Sequence, residues 1–243
     1  TFDIEGVDVQ QKLAILMALA TGAPVDVHRV HREGITQISA LDIEGARDLG
    51  CRIKLLAIAK RQGDRIEARV HPTMVPEDNL LARVDGVQNA VFVRGDAVGP
   101  TMFIGPGAGA RPTASAVLGD LFDAARNLLA GCPRRVAPLG FAEPGGARLA
   151  LADMDEWVGE YYLRFTVVDS PGVLAKIAQG LGHHGISIKS MIQHGRDEGA
   201  EVPIIIMTHD VRERELRAAI REIDNLDVVL AKTNWIRIEW DLG

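Results

Sequence analysis

The chain has 243 residues, 47% of them hydrophobic, which is enough for one large or two modest domains with buried cores. A formal net charge of −6 gives no general attraction to nucleic acid or anionic membrane, and no apolar stretch approaches the ~20 residues of a membrane span. Cys51 and Cys132 are far apart and lack a CxxC partner, so we expect a soluble, reduced, cytoplasmic protein without a metal site.

The first predicted element is a helix, in which apolar residues recur at helical spacing over residues 9–20 and Gly22 ends the pattern. The stretch DIEGVDVQQK around its start contains Asp3, Asp8 and Lys12. Asp8 and Lys12 are four residues apart, which places both side chains on one helical face. These ten residues alone favour a simple interpretation, an exposed ion pair of about 0.3–0.5 kcal/mol beside an aspartate helix cap.

Helices and antiparallel hairpins are predicted over the next hundred residues. A short helix has Asp42 as its expected N-cap, and two hairpins follow with turns at residues 62–64 and near 95–96. A helix over residues 112–130 closes the segment. We therefore predict an α+β fold, with a mixed α/β domain and a largely antiparallel sheet over residues 1–130.

A change of composition separates this segment from a second one. Residues 131–160 contain three prolines and five glycines without sustained periodicity, which predicts a linker. The patterns beyond it follow the order β-α-β-β-α-β, which is the ferredoxin-like arrangement. We predict a ferredoxin-like domain over residues 161–243.

Within the second segment, residues 161–232 resemble the ACT family of amino-acid-binding regulatory domains. The turn DSPGVL at residues 169–174 and the strand GISI at 185–188 carry the resemblance. The resemblance implies an amino-acid effector, with threonine expected. The residues fit this, since Pro171 can open a helix whose free amides receive a carboxylate. The same turn is typical of ferredoxin-like domains that bind nothing, so both interpretations stay open. The effector-binding residues implied are Asp169, Gly172, Val173, Leu174 and Ile186.

The first segment resembles the substrate-binding and dimerisation region of homoserine dehydrogenase. Three stretches carry this in the family's order: DIEGVDVQQKLAIL at residues 3–16, GITQISALDIEGARDLGCRIKLLA at 34–57, and GPGAGARPTASAVLGDL at 105–121. The resemblance implies hydride transfer between NAD(P) and the homoserine/aspartate semialdehyde pair. It also implies a homodimer or homotetramer.

The resemblance assigns roles to individual residues. Lys12 matches the catalytic lysine that polarises the carbonyl and exchanges a proton, and Asp8 matches its carboxylate partner. Asp3 matches a residue that binds the substrate ammonium group. Gly107, Ala108 and Gly109 match a loop at the nicotinamide end of the cofactor.

One expected feature is absent from the sequence. The family begins with an NAD(P)-binding Rossmann domain, yet no G-x-G-x-x-G fingerprint follows a strand here. We expect this chain to be the C-terminal part of the enzyme, inactive alone, with NAD(P) bound mainly by the missing domain. The alternatives are an amino-acid-binding regulatory module with a non-catalytic dimerisation domain, and a purely structural dimerisation fragment.

Overall fold

The computed structural model describes residues 2–133, 135–137, 150–193 and 201–242. Its helices and strands in these ranges are α1 Val7–Thr21, β1 His31–Arg32, α2 Ala40–Asp48, β2 Cys51–Gln62, β3 Arg65–Pro76, β4 Gln88–Gly95, β5 Gly99–Pro106, α3 Ala110–Leu129, β6 Ala150–Leu151, β7 Val158–Val168, α4 Val173–His183, β8 Ile188–Gln193, β9 Glu201–Thr208, β10 Val211–Arg212, α5 Glu213–Ile223 and β11 Val229–Ile238. Short 3-10 turns at Val27–Arg29, Leu80–Arg83 and Met154–Glu156 connect some of them.

The main sheet joins both halves of the chain. Its strand order is β1-β3-β11-β7-β9-β8. β3 pairs along its length with antiparallel β2, and its other edge is shared by β6, β1 and β11, each in parallel. Because β11 lies between β3 and β7, the last strand of the second half is built into the sheet of the first.

The second half has the predicted ferredoxin-like topology. β7, α4, β8, β9, α5 and β11 follow in the β-α-β-β-α-β order, and the strands lie in the spatial order β11-β7-β9-β8 with antiparallel pairing. Side chains alternate along β7: Tyr161, Leu163 and Phe165 join the core under α4 and α5, whereas Tyr162 packs with Ala46 of α2 on the opposite face. The α+β prediction is confirmed.

The helix boundaries correct two predicted caps. The N-cap of α1 is Gly6 at φ 72°, without a side-chain cap, so the alternative of an aspartate cap for this helix is wrong. The N-cap of α2 is Ser39, and Asp42 lies three residues later, where it completes a capping box. The predicted end of α1 at Gly22, at φ 70°, is confirmed.

Both predicted hairpins are present. β2 and β3 are joined at Gln62↔Arg65, and β4 and β5 form a separate two-stranded sheet closed near Gly95↔Gly99. Helix α3 follows, and none of its residues is buried. The predicted linker lies partly outside the described residues, at 134 and 138–149, whereas its end contains β6, a 3-10 turn and the buried Trp157.

Candidate functional site

One face of helix α1 is packed against the main sheet. Leu13 and Met17 are buried in a cluster with Val30, Ile66 and Val70, and they fix one helical face against the sheet. The Gln10 side-chain amide donates hydrogen bonds to the carbonyl oxygens of residues 27 and 30, at 3.0 and 2.7 Å. The opposite face of the helix therefore has a fixed direction.

Asp8 and Lys12 lie on that outer face. Lys12 Nζ is 2.6 Å from Asp8 Oδ2, and the two side chains are 59% and 39% exposed, respectively. Three large apolar residues continue outward along the same helix, at positions three, four and seven beyond the lysine: Ile15, Leu16 and Leu19 are all exposed. The pair therefore sits on an open, partly apolar surface.

Asp3 lies in the short loop of residues 2–6 that leads into α1, which we call the Asp3 loop. The loop closes on itself, since the Gly6 amide donates to the Asp3 carbonyl at 3.0 Å. It is also tied to the segment after β1: the Ile35 amide donates to the Ile4 carbonyl at 2.8 Å, and the Arg32 guanidinium donates to the Glu5 carbonyl. The exposed Asp3 carboxylate thus stands on a fixed loop beside the Asp8–Lys12 helix.

Gly34, the first residue of the family-like stretch 34–57, lies against the Asp3 loop. A Cβ there would lie 2.6 Å from the Ile4 carbonyl oxygen and 2.9 Å from the Glu5 Cα. Both are backbone atoms that cannot move aside without displacing the loop. A bare residue at position 34 is therefore required for the Asp3 loop to occupy its place.

The loop Gly107–Ala108–Gly109 connects β5 to α3. A Cβ on Gly107 would lie 1.8 Å from Asn89 Nδ2, and Gly109 has φ 123° as the N-cap of α3. Position 109 therefore demands glycine, whereas the exposed Asn89 side chain can turn away from a Cβ at position 107; the loop presents exposed main chain with one small side chain.

The predicted effector residues are divided by burial. Gly172 is the N-cap of α4 at φ 90°, with open space where a Cβ would point, so Pro171 precedes the cap and does not open the helix as predicted. Val173 and Ile186 are buried in the core, and a ligand could reach only their main chain. Leu174 is half-buried against the same core, and Asp169 is half-buried before the turn.

An ion-pair cluster that the sequence patterns did not indicate lies between the two halves. The Arg237 guanidinium donates to the Glu213 carboxylate with distances of 2.7 and 2.7 Å and to the Glu33 carboxylate with distances of 2.9 and 2.9 Å. Burial alone would raise the pKa of Glu33, but hydrogen bonds from His31 and Arg237 outweigh it and hold that pKa far below its usual range. The cluster is therefore fully ionised at neutral pH.

A second ion pair joins the halves on the other face of the sheet. Arg164 of β7 donates to the buried Asp42 of α2, with its Nε 2.6 Å from Oδ1. Burial opposes ionisation of Asp42, yet bonds from Arg164 and Ser39 lower its pKa. The one available signal for both pairs was a charged residue at an inward position of an apolar strand, as in "YYLRFTVV" and "NWIRIEW".

A polar cavity of about 720 Å³ lies below the N-terminal half of α1. Its lining residues come from four parts of the chain and include Gln10, His28, Arg29, Arg32 and Asp153. Among the described residues no group of three metal-ligating side chains is brought together, and Cys51 and Cys132 are both free. Of the helices in this same part of the chain, none has the length and apolarity of a membrane span.

The architecture defines a class of protein in which a mixed α/β domain shares its sheet with a ferredoxin-like module. Comparison with known proteins agrees, since the ACT domain model matches residues 161–228 and the homoserine dehydrogenase model matches residues 1–122. The chain belongs to the homoserine dehydrogenase family.

Individual relatives cover this chain almost completely. A homoserine dehydrogenase from Neisseria gonorrhoeae is 44% identical over 98% of this chain. A solved homoserine dehydrogenase from Thiobacillus denitrificans has a TM-score of 0.88 with 46% identity over 99%, and one from Staphylococcus aureus has a TM-score of 0.66 with 26% identity over 100%. The chain spans about half the length of these proteins, at 55%, 54% and 55%.

Proposed function

We propose that this chain is the substrate-binding and regulatory part of a homoserine dehydrogenase, which interconverts homoserine and aspartate semialdehyde. The observation that carries the proposal is the Asp8–Lys12 pair, held at 2.6 Å on the outer face of an anchored helix. The exposed apolar residues that continue along the helix from this pair mark a surface suited to contact with a ligand or another part of the protein. A dinucleotide-binding domain, which the family resemblance implies, would form the other wall of a cleft at this surface.

Each residue of the pair has a task in this reaction. The Lys12 ammonium group donates a hydrogen bond to the C4 oxygen, so it stabilises the carbonyl during reduction and the alkoxide as it forms. It then gives its proton to that oxygen, or accepts one during oxidation of the alcohol. Asp8 orients the ammonium group and balances its charge. Asp3, on the fixed loop before the helix, binds the α-ammonium group of the amino acid.

The loop Gly107–Ala108–Gly109 fits a nicotinamide cofactor. Its two glycines leave main chain exposed, which lets a flat ring approach without meeting a side chain. When bound, NAD(P) would supply the hydride to C4 of the substrate or accept it from that carbon. The loop forms the wall of the cleft at the nicotinamide end of the cofactor.

The ACT module is the proposed site of an amino-acid effector, with threonine as the first candidate. The support is local: Gly172 leaves open space in front of the α4 N-terminus, where main-chain amides suit a carboxylate. We place the protein in the cytoplasm, and we propose that it assembles as a homodimer or homotetramer. The exposed apolar residues of α3 and of the β4–β5 hairpin are the support for assembly.

Substitution of the lysine tests the catalytic proposal. Lys12→Ala, in the longer protein with its dinucleotide-binding domain, should reduce kcat for homoserine oxidation at least ~100-fold, the scale typical of a general acid–base group. The fold should survive, because an exposed helical ion pair contributes only about 0.3–0.5 kcal/mol. The matched control is Lys176→Ala, which removes an exposed lysine paired with Asp227 and should leave kcat unchanged. Unchanged turnover in Lys12→Ala would refute the role.

Calorimetry separates catalysis from regulation. Threonine titrated into this chain should release heat, and Gly172→Val should abolish that signal by placing a β-branched side chain at φ 90° in the open space. Heat with threonine but no homoserine oxidation in the longer protein would favour the alternative, an amino-acid-binding module without catalytic duty. Absence of heat over a broad concentration range would refute threonine as the effector.

A further inference from the structure

The Arg237 guanidinium group is shared between the two halves of the chain. It bridges two carboxylates: that of Glu213, the first residue of α5 in the regulatory module, and that of Glu33, just after β1 in the substrate segment. The arginine and Glu213 are buried, and the guanidinium also lies 4.7 Å from the ring centroid of Trp235. Both pairings are bidentate, which restricts the orientation of the guanidinium group and of the two carboxylates.

Glu33 in turn belongs to residues 33–35, which contact the Asp3 loop and which we call its seat. Its main-chain amide donates to the Val70 carbonyl at 2.8 Å, and its own carbonyl oxygen faces Gly6, 3.5 Å from where a Cβ would be. The next two residues, Gly34 and Ile35, contact the loop directly through the close approach to Ile4 and the 2.8 Å hydrogen bond to its carbonyl. The loop therefore rests on the residues that follow the Glu33 side chain.

The contacts form one continuous chain of fixed groups. They run from the start of α5 through Arg237 and Glu33 to residues 34–35, and from there to the loop that carries Asp3 and leads into α1. Each link is a hydrogen bond or backbone contact of named atoms. These contacts give a shift of α5 in the regulatory module a continuous path to the loop that carries Asp3.

We propose that the Glu33–Arg237 pair is a positioning element that couples the regulatory module to substrate binding, by setting the place of the Asp3 loop. The inference rests on the proposed function for its kinetic part. Glu33 and Arg237 act through the loop and do not touch substrate, so their loss weakens amino-acid binding more than the chemical step.

The test compares two isosteric substitutions of similar chemistry. Glu33→Gln removes the charge facing Arg237, and Asp42→Asn removes the charge facing Arg164 in the other ion pair between the halves. Asp42 lies in α2, and its carboxylate is hydrogen-bonded to Ser39, Tyr162 and Arg164 rather than to the Asp3 loop or to residues 33–35. It therefore controls for the general cost of weakening a contact between the halves.

Amide hydrogen exchange on this chain measures directly whether the Asp3 loop is held in place. In Glu33→Gln the Ile35 and Gly6 amides, both bonded within the loop and its seat, should exchange ~10-fold faster relative to the amides of β7. In Asp42→Asn that ratio should stay unchanged. The same acceleration in both variants, or in neither, would overturn the proposal, because the pair would then be only structural.

Steady-state kinetics in the longer protein measure the effect on substrate binding. Glu33→Gln should raise KM for homoserine ~10-fold while kcat falls less than ~3-fold, and Asp42→Asn should leave KM unchanged. Gly34→Ala, which displaces the loop without touching Arg237, should reproduce the rise in KM even if Glu33→Gln folds poorly. A fall in kcat with constant KM in both variants would overturn the coupling. Absence of homoserine oxidation in the unsubstituted protein would instead refute the proposed function, and the exchange ratio would still decide the positioning.

Discussion

His71 should make the stability of this protein depend on pH above the range in which carboxylates titrate. It is completely buried in β3, with Nδ1 2.9 Å from the Pro72 carbonyl oxygen and 3.0 Å from Thr73 Oγ1. Its Nε2 has no hydrogen-bond partner among the described residues. Burial, and then the positive charge of Arg237, hold the pKa of His71 well below its ordinary value of 6.5.

The sign follows from proton binding in the two states. The folded protein keeps this imidazole neutral, whereas the unfolded chain protonates it below pH 6.5, so the unfolded state binds more protons there. Stability is therefore complete above that pH and falls as the pH drops through it. For one such group that stays neutral in the folded protein, the loss is about 1.4 kcal/mol one pH unit below the unfolded pKa.

Urea unfolding followed by circular dichroism between about pH 7.5 and pH 5.5 measures this loss. His71→Gln is the variant, and His28→Gln, at an exposed histidine, is the control. His71→Gln should be less stable at every pH, since it disturbs a packed site, yet its stability should be nearly flat across the window. His28→Gln should keep the full slope. An unchanged slope in His71→Gln would refute the assignment of this pH dependence to His71.

Two further predictions concern charge and packing. Stability should fall again below about pH 4.5. Burial raises the pKa of Glu33 and of Glu213, but hydrogen bonds from His31 and Arg237 to Glu33, and from arginines to Glu213, outweigh it and lower both pKa values, so the stabilising ionised forms are lost as the pH drops towards them. The same urea titrations extended into acid measure this, and the absence of a second decline would contradict it. Gly45→Ala should cost about 1–3 kcal/mol, because the new Cβ would lie 2.8 Å from the Tyr162 hydroxyl. Gly119→Ala, in exposed α3 with open space around it, should instead stabilise its helix by about 0.5–1 kcal/mol, and equal effects of the two substitutions would contradict the packing argument.

Local patterns in the sequence determined the elements and the family of this protein. Periodicity marked α1 and the two hairpins, Gly22 marked the end of α1, and the β-α-β-β-α-β order of the second half was readable before any coordinates. These features depend on residues within one or two turns of each other. For the same reason the i,i+4 spacing of Asp8 and Lys12 sufficed to predict that they meet, and the structure places them 2.6 Å apart.

The junction between the halves was decided only by tertiary structure. β11 enters the sheet beside β3, and the pairs Glu33–Arg237 and Asp42–Arg164 join positions more than a hundred residues apart, which no local period records. The caps show the same limit, since Ser39 was available beside Asp42 and only the fold assigned one to the cap and the other to an arginine from β7. A buried charge is tolerated only where its partner is supplied, and that partner here comes from the other half of the chain.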